Sequence, residues 1–382
     1  MGNGVSGEIE IFAEGEIEAE LKRLGGAGDI GLKKFVKKSY NDVIQMVIRP
    51  ARATYAMDAL GSREFSVPAS SADLHLSGHH GDNDGTSGPF VRREDFHVLN
   101  DRELKVLCSH WRLYANRESK ASMVTPCLVY LHSNLGSRVD ALRVRDLALQ
   151  RGFSVLAFDF SGSGLSDGIF VTMGWNEAKD LHFVLQHLED DVSVQEICIF
   201  AHSMGTFPAI VNVASRALAV ADKKLRESIE SHLPSHLRSA NVNVLAKPIR
   251  GMVLDGAYSS MDTLIRELME SVQEEGFNIP KPVMKLACSV VQQSVKKRAE
   301  VNLDQLKPID FVRACSIPAL FITGTQDRYV ASHHSEELAK QYAGPALILK
   351  VDGDHYGQRE QQVYSESVDF LFGAMRSAAS MR

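Results

Sequence analysis

The chain has 382 residues, 44% hydrophobic and 24% charged, with a formal net charge of −6. That length allows one large α/β domain with additions, or two domains, and the negative balance argues against nucleic acid as the main partner. No run of ~18 uninterrupted apolar residues occurs, so no transmembrane helix is expected, and the N-terminus lacks the apolar core of a signal peptide.

Residues 1–65 read as an N-terminal extension. Met1-Gly-Asn-Gly-Val-Ser6 fits the M-G-x-x-x-[ST] acylation pattern, which makes Gly2 a candidate myristoylation site. From about Leu32 to Ile48, the residues Val36, Tyr40, Val43, Ile44 and Val47 recur at helical spacing, with Lys33, Lys34, Lys37 and Lys38 at the start. Pro50 ends this helix, which either packs on the main domain or gives the N-terminus a basic, peripheral membrane contact. Residues 66–95 read as a linker, rich in Ser, Gly, Asp and His over 69–89. His79 and His80 have no further ligands at metal-like spacing, so no metal is expected there.

The folded domain is expected over 96–376. Phe96 to Leu99 and Leu104 to Tyr114 are strand-like runs separated by an Asn100-Asp-Arg turn. From Cys127 onward short apolar runs alternate with helical patterns. The strands are read at Leu128–Leu131, Phe153–Phe158, Ile197–Phe200, Gly251–Leu254, Ala319–Ile322 and Leu347–Val351. This alternation implies a mostly parallel sheet covered by helices on both faces. Two intervals break the rhythm. Residues 223–247 are polar and read as an insertion. Residues 261–306 carry two amphipathic helices, one with Leu264, Ile265, Leu268 and Val272 and one with Val283, Leu286, Val290 and Val291. Such a length exceeds a crossover helix and suggests a cap over the strand ends. The five cysteines (Cys108, Cys127, Cys198, Cys288 and Cys315) are widely spaced without C-x-x-C pairs, as in reduced cytosolic proteins.

Chemistry in a parallel sheet gathers beyond the carboxyl ends of the strands. There Ile197-Cys-Ile-Phe-Ala-His-Ser-Met-Gly-Thr206 places Ser203 on a short turn between a strand and a helix, in a G-x-S-x-G-like setting with Ala201 for the first glycine. Such a turn exposes the Ser203 hydroxyl and aims the Met204 N–H at an oxyanion formed by its attack. His132-Ser-Asn-Leu-Gly-Ser-Arg138 offers a second N–H, that of Asn134. Asp159-Phe-Ser-Gly-Ser-Gly164 has the wrong spacing for a dinucleotide fingerprint and reads as a tight structural loop. His355 follows the last strand, and Asp327, Asp255 and Asp354 compete to orient it. Adjacent side chains seldom meet productively, which disfavours Asp354, and Asp327 leads.

Taken together, His132-Ser-Asn134, Phe158-Asp-Phe-Ser-Gly-Ser-Gly164, His202-Ser-Met-Gly205, Gly324-Thr-Gln-Asp327 and Gly353-Asp-His355 resemble the α/β-hydrolase superfamily. The nearest branch looks like the capped serine-aminopeptidase-like and monoglyceride-lipase-like hydrolases, over roughly residues 90–375. The resemblance implies an α/β-hydrolase fold with a helical cap, and Ser203, Asp327 and His355 as nucleophile, acid and base. Ser133 departs from the pattern, which commonly has His-Gly at this point. The expected activity is cleavage of a carboxylic ester, thioester or amide of a small-molecule or acylated substrate, with neither metal nor organic cofactor. Acyl transfer through the same residues, or a non-catalytic binding protein on the fold, are the alternatives. The expected location is cytoplasmic, at a membrane face if Gly2 is acylated.

Overall fold

The computed structural model describes residues 51–67, 89–238, 246–274, 292–293 and 295–379. Gly2, the helix at 32–48, the His79–His80 segment and the second cap helix near 283–291 lie outside the described residues.

One nine-stranded sheet organises the chain: β1 (Glu64–Ser66), β2 (Phe90–Leu99), β3 (Lys105–Tyr114), β4 (Thr125–Leu131), β5 (Ser154–Phe158), β6 (Val194–His202), β7 (Ile249–Asp255), β8 (Ala319–Gly324) and β9 (Ala346–Val351). Their spatial order is β1-β2-β3-β5-β4-β6-β7-β8-β9. The first three and the β3–β5 pair run antiparallel, and β5 through β9 run parallel. The central strands are buried on both faces, so their sequences read as continuous apolar runs. Alternation then divides their side chains between two cores. Leu128 and Tyr130 of β4 join Cys198 and Phe200 of β6 on one face. Val129, Leu131, Ile199 and Ala201 join the other.

Helices α1 (Leu142–Gln150) and α7 (Gln361–Ala379) supply Val144, Ala148, Val368 and Leu371 to the first of these cores. Helices α2 (Trp175–Asp190) and α3 (Thr206–Val220) cover the opposite face with Leu181, Leu185, Phe207 and Ile210. The insertion begins as α4 (Lys223–Ile229), capped by Asp222, whose carboxylate accepts the Leu225 N–H at 3.0 Å. Ile229, Leu233 and Leu237 bury its apolar side. Helix α5 (Met261–Glu274) is the first cap helix, and Met261, Leu264, Ile265 and Leu268 lay its apolar stripe on the same core. Its apolar face is therefore packed. Helix α6 (Ser332–Gln341) lies between β8 and β9. Among the described residues, no helix is long and apolar enough to cross a membrane.

The sheet also reaches into the segments read as extension and linker. Strand β2 starts at Phe90 and not Phe96, and Phe65 of β1 pairs with Val91. The charged run Arg92-Arg-Glu-Asp95 hides this strand from an apolar pattern. In the structure these charges find cross-strand partners, Arg92 with Glu64 at 3.3 Å and Glu94 with Arg112 at 2.8 Å. Just before β1, Tyr55 donates its hydroxyl to Asp159 at 2.6 Å and accepts from Arg138 Nε at 2.6 Å. Arg52 Nε donates to the Gly164 carbonyl at 2.7 Å. The segment is tied to the domain.

Candidate active site

Strand β6 ends at His202, and the chain turns through Ser203–Gly205 into α3. Ser203 has φ +52°, a left-handed conformation costly for a side-chain-bearing residue and held by its surroundings. Thr206 Oγ1 donates to the Ser203 carbonyl at 2.6 Å and braces the turn. Close passage against β4 dictates Gly205, because a Cβ there would sit 2.8 Å from the Leu131 carbonyl oxygen and 2.9 Å from Leu131 Cβ. Gly205→Ala should therefore push the turn off β4 and cost about 1–3 kcal/mol of stability. An unchanged urea unfolding midpoint would refute that packing account.

The strained turn presents Ser203 Oγ to His355 Nε2 at 2.7 Å, and His355 Nδ1 lies 2.6 Å from Asp327 Oδ2. Asp327 Oδ1 accepts the N–H groups of Tyr329 at 2.9 Å and Val330 at 2.7 Å. With the ring proton on Nδ1 facing a carboxylate, Nε2 keeps its lone pair for the serine hydroxyl. All three residues are under 10% exposed, so bulk water barely screens these bonds. Burial alone would raise the Asp327 pKa. The bond and charge of His355 and the two amides outweigh it and hold the carboxyl below its usual value.

Two residues to which the sequence assigned no role hold the histidine loop. His202 Nε2 donates to the His355 carbonyl at 3.0 Å, and burial lowers the His202 pKa, which keeps its ring neutral. Arg359 Nη1 donates to the Asp354 carbonyl at 2.7 Å. Its Nε and Nη2 grip Asp255 at 3.1 and 2.9 Å. Asp255 is thus committed to Arg359, and Asp354 Oδ1 accepts the Gly357 N–H. Of the three acids weighed in the sequence, the structure sets Asp327 against the ring. The Arg359 and Asp255 side chains are 1% and 5% exposed, so Arg359→Met strands a buried carboxylate. The expected loss is ~3–5 kcal/mol in urea unfolding, and a loss below ~1 kcal/mol would show the pair to be dispensable.

The two oxyanion candidates follow the ends of neighbouring strands, β4 and β6. Met204 is the residue after Ser203 and is fully buried. Asn134 follows β4, whose Leu131 pairs with Ala201 of β6. Its side-chain oxygen accepts the Tyr356 hydroxyl at 3.2 Å. The Phe160 N–H donates to His132 Nε2 at 3.0 Å, so His132 Nδ1–H donates to the Ser133 carbonyl at 2.6 Å. The Gly136 N–H donates to that carbonyl at 3.0 Å and closes the turn around buried Ser133. Asp159, which the sequence marked as structural, accepts backbone N–H groups from Arg138 at 2.8 Å and Leu165 at 2.9 Å.

A cleft of about 330 Å³ lies behind this constellation, lined by Thr54, Tyr55, Ser133, Leu135, His202 and Tyr356. Ser203 and His355 do not line it, so the hydrogen bonds define the site. Glu267, His333 and His334 bring three ligand-type atoms within 4.8 Å of one another. The Ser259 N–H donates to His334 Nδ1 at 3.2 Å, which leaves the ring proton on Nε2, facing Glu267 Oε2 at 3.0 Å. That tautomer offers no His334 lone pair to an ion between the three side chains. The cluster pins α5 to α6.

A model of the alpha/beta hydrolase family matches residues 128–365. The uncharacterized protein YfhR of Escherichia coli K12 is 24% identical over 254 residues, 65% of this chain and 70% of YfhR. Among solved structures, Pyrococcus furiosus esterase Pf2001 has a TM-score of 0.49 at 19% identity, covering 75% of this chain and 93% of that one. Est1E of Butyrivibrio proteoclasticus, solved with ferulic acid bound, has a TM-score of 0.47 at 16% identity, covering 74% of this chain and 100% of that one.

Proposed function

The chain belongs to the alpha/beta hydrolase family, and we propose that within it the protein is a serine hydrolase acting on a carboxylic ester, thioester or amide. The observation that carries the reading is the continuous relay from Ser203 through His355 to Asp327, mounted on a serine with positive φ. Ser203 Oγ attacks the substrate carbonyl while His355 Nε2 takes its proton. Asp327 holds the imidazole in the required tautomer and stabilises the imidazolium. The Met204 and Asn134 N–H groups receive the tetrahedral oxyanion, each donor commonly worth ~3 kcal/mol. His355 then gives its proton to the leaving group, which departs and leaves the acyl group on Ser203. Water, deprotonated by the same histidine, releases the acid.

The motifs favour the serine-aminopeptidase-like and monoglyceride-lipase-like branch, which carries a cap between the strands that bear Asp255 and Asp327. Labelling of the full chain with a fluorophosphonate, followed by a chain-length series of acyl esters, tests the activity. A folded protein that neither labels nor turns over any ester, thioester or amide would leave a binding protein on a hydrolase fold. Attachment to a cytoplasmic membrane face through acylated Gly2 belongs to the same proposal. It predicts that Gly2→Ala moves the protein to the soluble fraction, and an unchanged membrane fraction would remove the lipid from the account.

A further inference from the structure

Tyr356 follows His355 directly, in the loop after β9, and its side chain makes contacts of its own. Its ring stands nearly perpendicular to that of His355, with centroids 4.7 Å apart at 84°, and meets Tyr329 at 5.4 Å and 66°. Its hydroxyl donates to Asn134 Oδ1 at 3.2 Å, across 222 positions of chain. Burial pushes the phenol up to about 12, so the hydroxyl keeps its proton and stays a donor at neutral pH.

Asn134 is buried, and its N–H is the second oxyanion donor of the mechanism above. That N–H shares a rigid, planar peptide with the Ser133 carbonyl, and the two groups point in opposite directions. The carbonyl accepts the His132 Nδ1–H at 2.6 Å and the Gly136 N–H at 3.0 Å, which fixes one end of the plane. The Tyr356 bond fixes the Asn134 side chain at the other end. Such precision matters because an oxyanion donor acts at roughly 2.7–3.1 Å, and a misplacement of about 1 Å can cost ~10²-fold in rate. Tyr356 belongs to the loop of the base and Asn134 to the loop of the oxyanion donor. One hydrogen bond therefore ties the two halves of the chemistry together.

We propose that Tyr356 is a positioning residue, whose hydroxyl holds Asn134 so that its N–H meets the oxyanion in register with His355. The inference rests on the serine-hydrolase reading and deepens it. Its test uses the full chain and the fastest substrate of the acyl series. Tyr356→Phe keeps the ring contacts and loses the bond. It should lower kcat roughly 10-fold and leave KM within about twofold, the mark of a contact that matters in the transition state. The acid limb of the pH–rate profile should stay in place, since a neutral hydroxyl aimed at Asn134 leaves the charges around His355 as they are. Asn134→Ala removes the acceptor, keeps the backbone N–H and should bring the same loss. The double variant should be no slower than either single one, because both cut one bond. Tyr356→Phe decides alone if Asn134→Ala does not fold. Unchanged kcat in Tyr356→Phe, a loss confined to KM, a shifted acid limb, or losses that multiply in the double variant would each overturn the role. A folded parent that neither labels with fluorophosphonate nor turns over any substrate sinks the hydrolase reading and this role together. An active parent whose Tyr356→Phe variant keeps its kcat sinks the role alone.

Discussion

Ser203→Ala is expected to abolish fluorophosphonate labelling and to cut turnover by about 10⁶, with the fold intact. The change removes one oxygen whose hydrogen bond runs to His355. Alanine fits the same turn, because the packing that holds φ at +52° comes from Gly205 against β4 and from Thr206 on the backbone carbonyl. Stability should therefore hold while chemistry disappears. The residual rate would come from the oxyanion donors and substrate binding. Equal labelling of variant and parent, at equal unfolding midpoints, would place the nucleophile elsewhere.

Asp327→Asn should cost about 10⁴ in turnover through a reversed tautomer. The two amides of Tyr329 and Val330 fix which way an asparagine would lie, since both require an acceptor. Its oxygen would face them and its NH₂ would face His355 Nδ1. The ring would then answer with a lone pair at Nδ1 and a proton at Nε2, where the serine needs a base. Asp255→Asn is the control. It loosens the Arg359 clamp and should act first on stability, with turnover falling only as far as the loop relaxes. A large turnover loss in Asp255→Asn beside little change in Asp327→Asn would reverse the roles. The lowered Asp327 pKa adds a second signature. Its stabilising contribution is present above the ordinary carboxylate pKa and is lost as pH falls through the lowered folded value.

The relay was legible because a parallel sheet exposes its chemistry in sequence. Each of Ser203, Asp327 and His355 comes within a few residues of the end of an apolar run that is hard to mistake. The supporting contacts leave no such trace. His202 meets the His355 carbonyl across 153 positions, and Arg359 meets Asp255 across 104. Neither histidine nor arginine belongs to a spacing rule at those distances. The antiparallel margin was equally obscure. Strand β2 carries four consecutive charges, answered by Glu64, the Gly61 carbonyl, Arg112 and Arg63, so an apolar count starts it six residues late. The apolar stripe of helix α5 is legible in the spacing of Leu264, Ile265 and Leu268, and the structure lays these residues on the core.

The Arg52–Ser66 segment changes how the chain can be shortened. A version cut back to Phe90, leaving out what looks like a dispensable leader, would remove the Tyr55 hydroxyl from buried Asp159 and Arg138. It would also strip β1 from β2 and leave an open strand edge, the kind of surface along which chains associate. Such a truncation should yield aggregates, and the shortest well-behaved protein should begin ahead of Arg52.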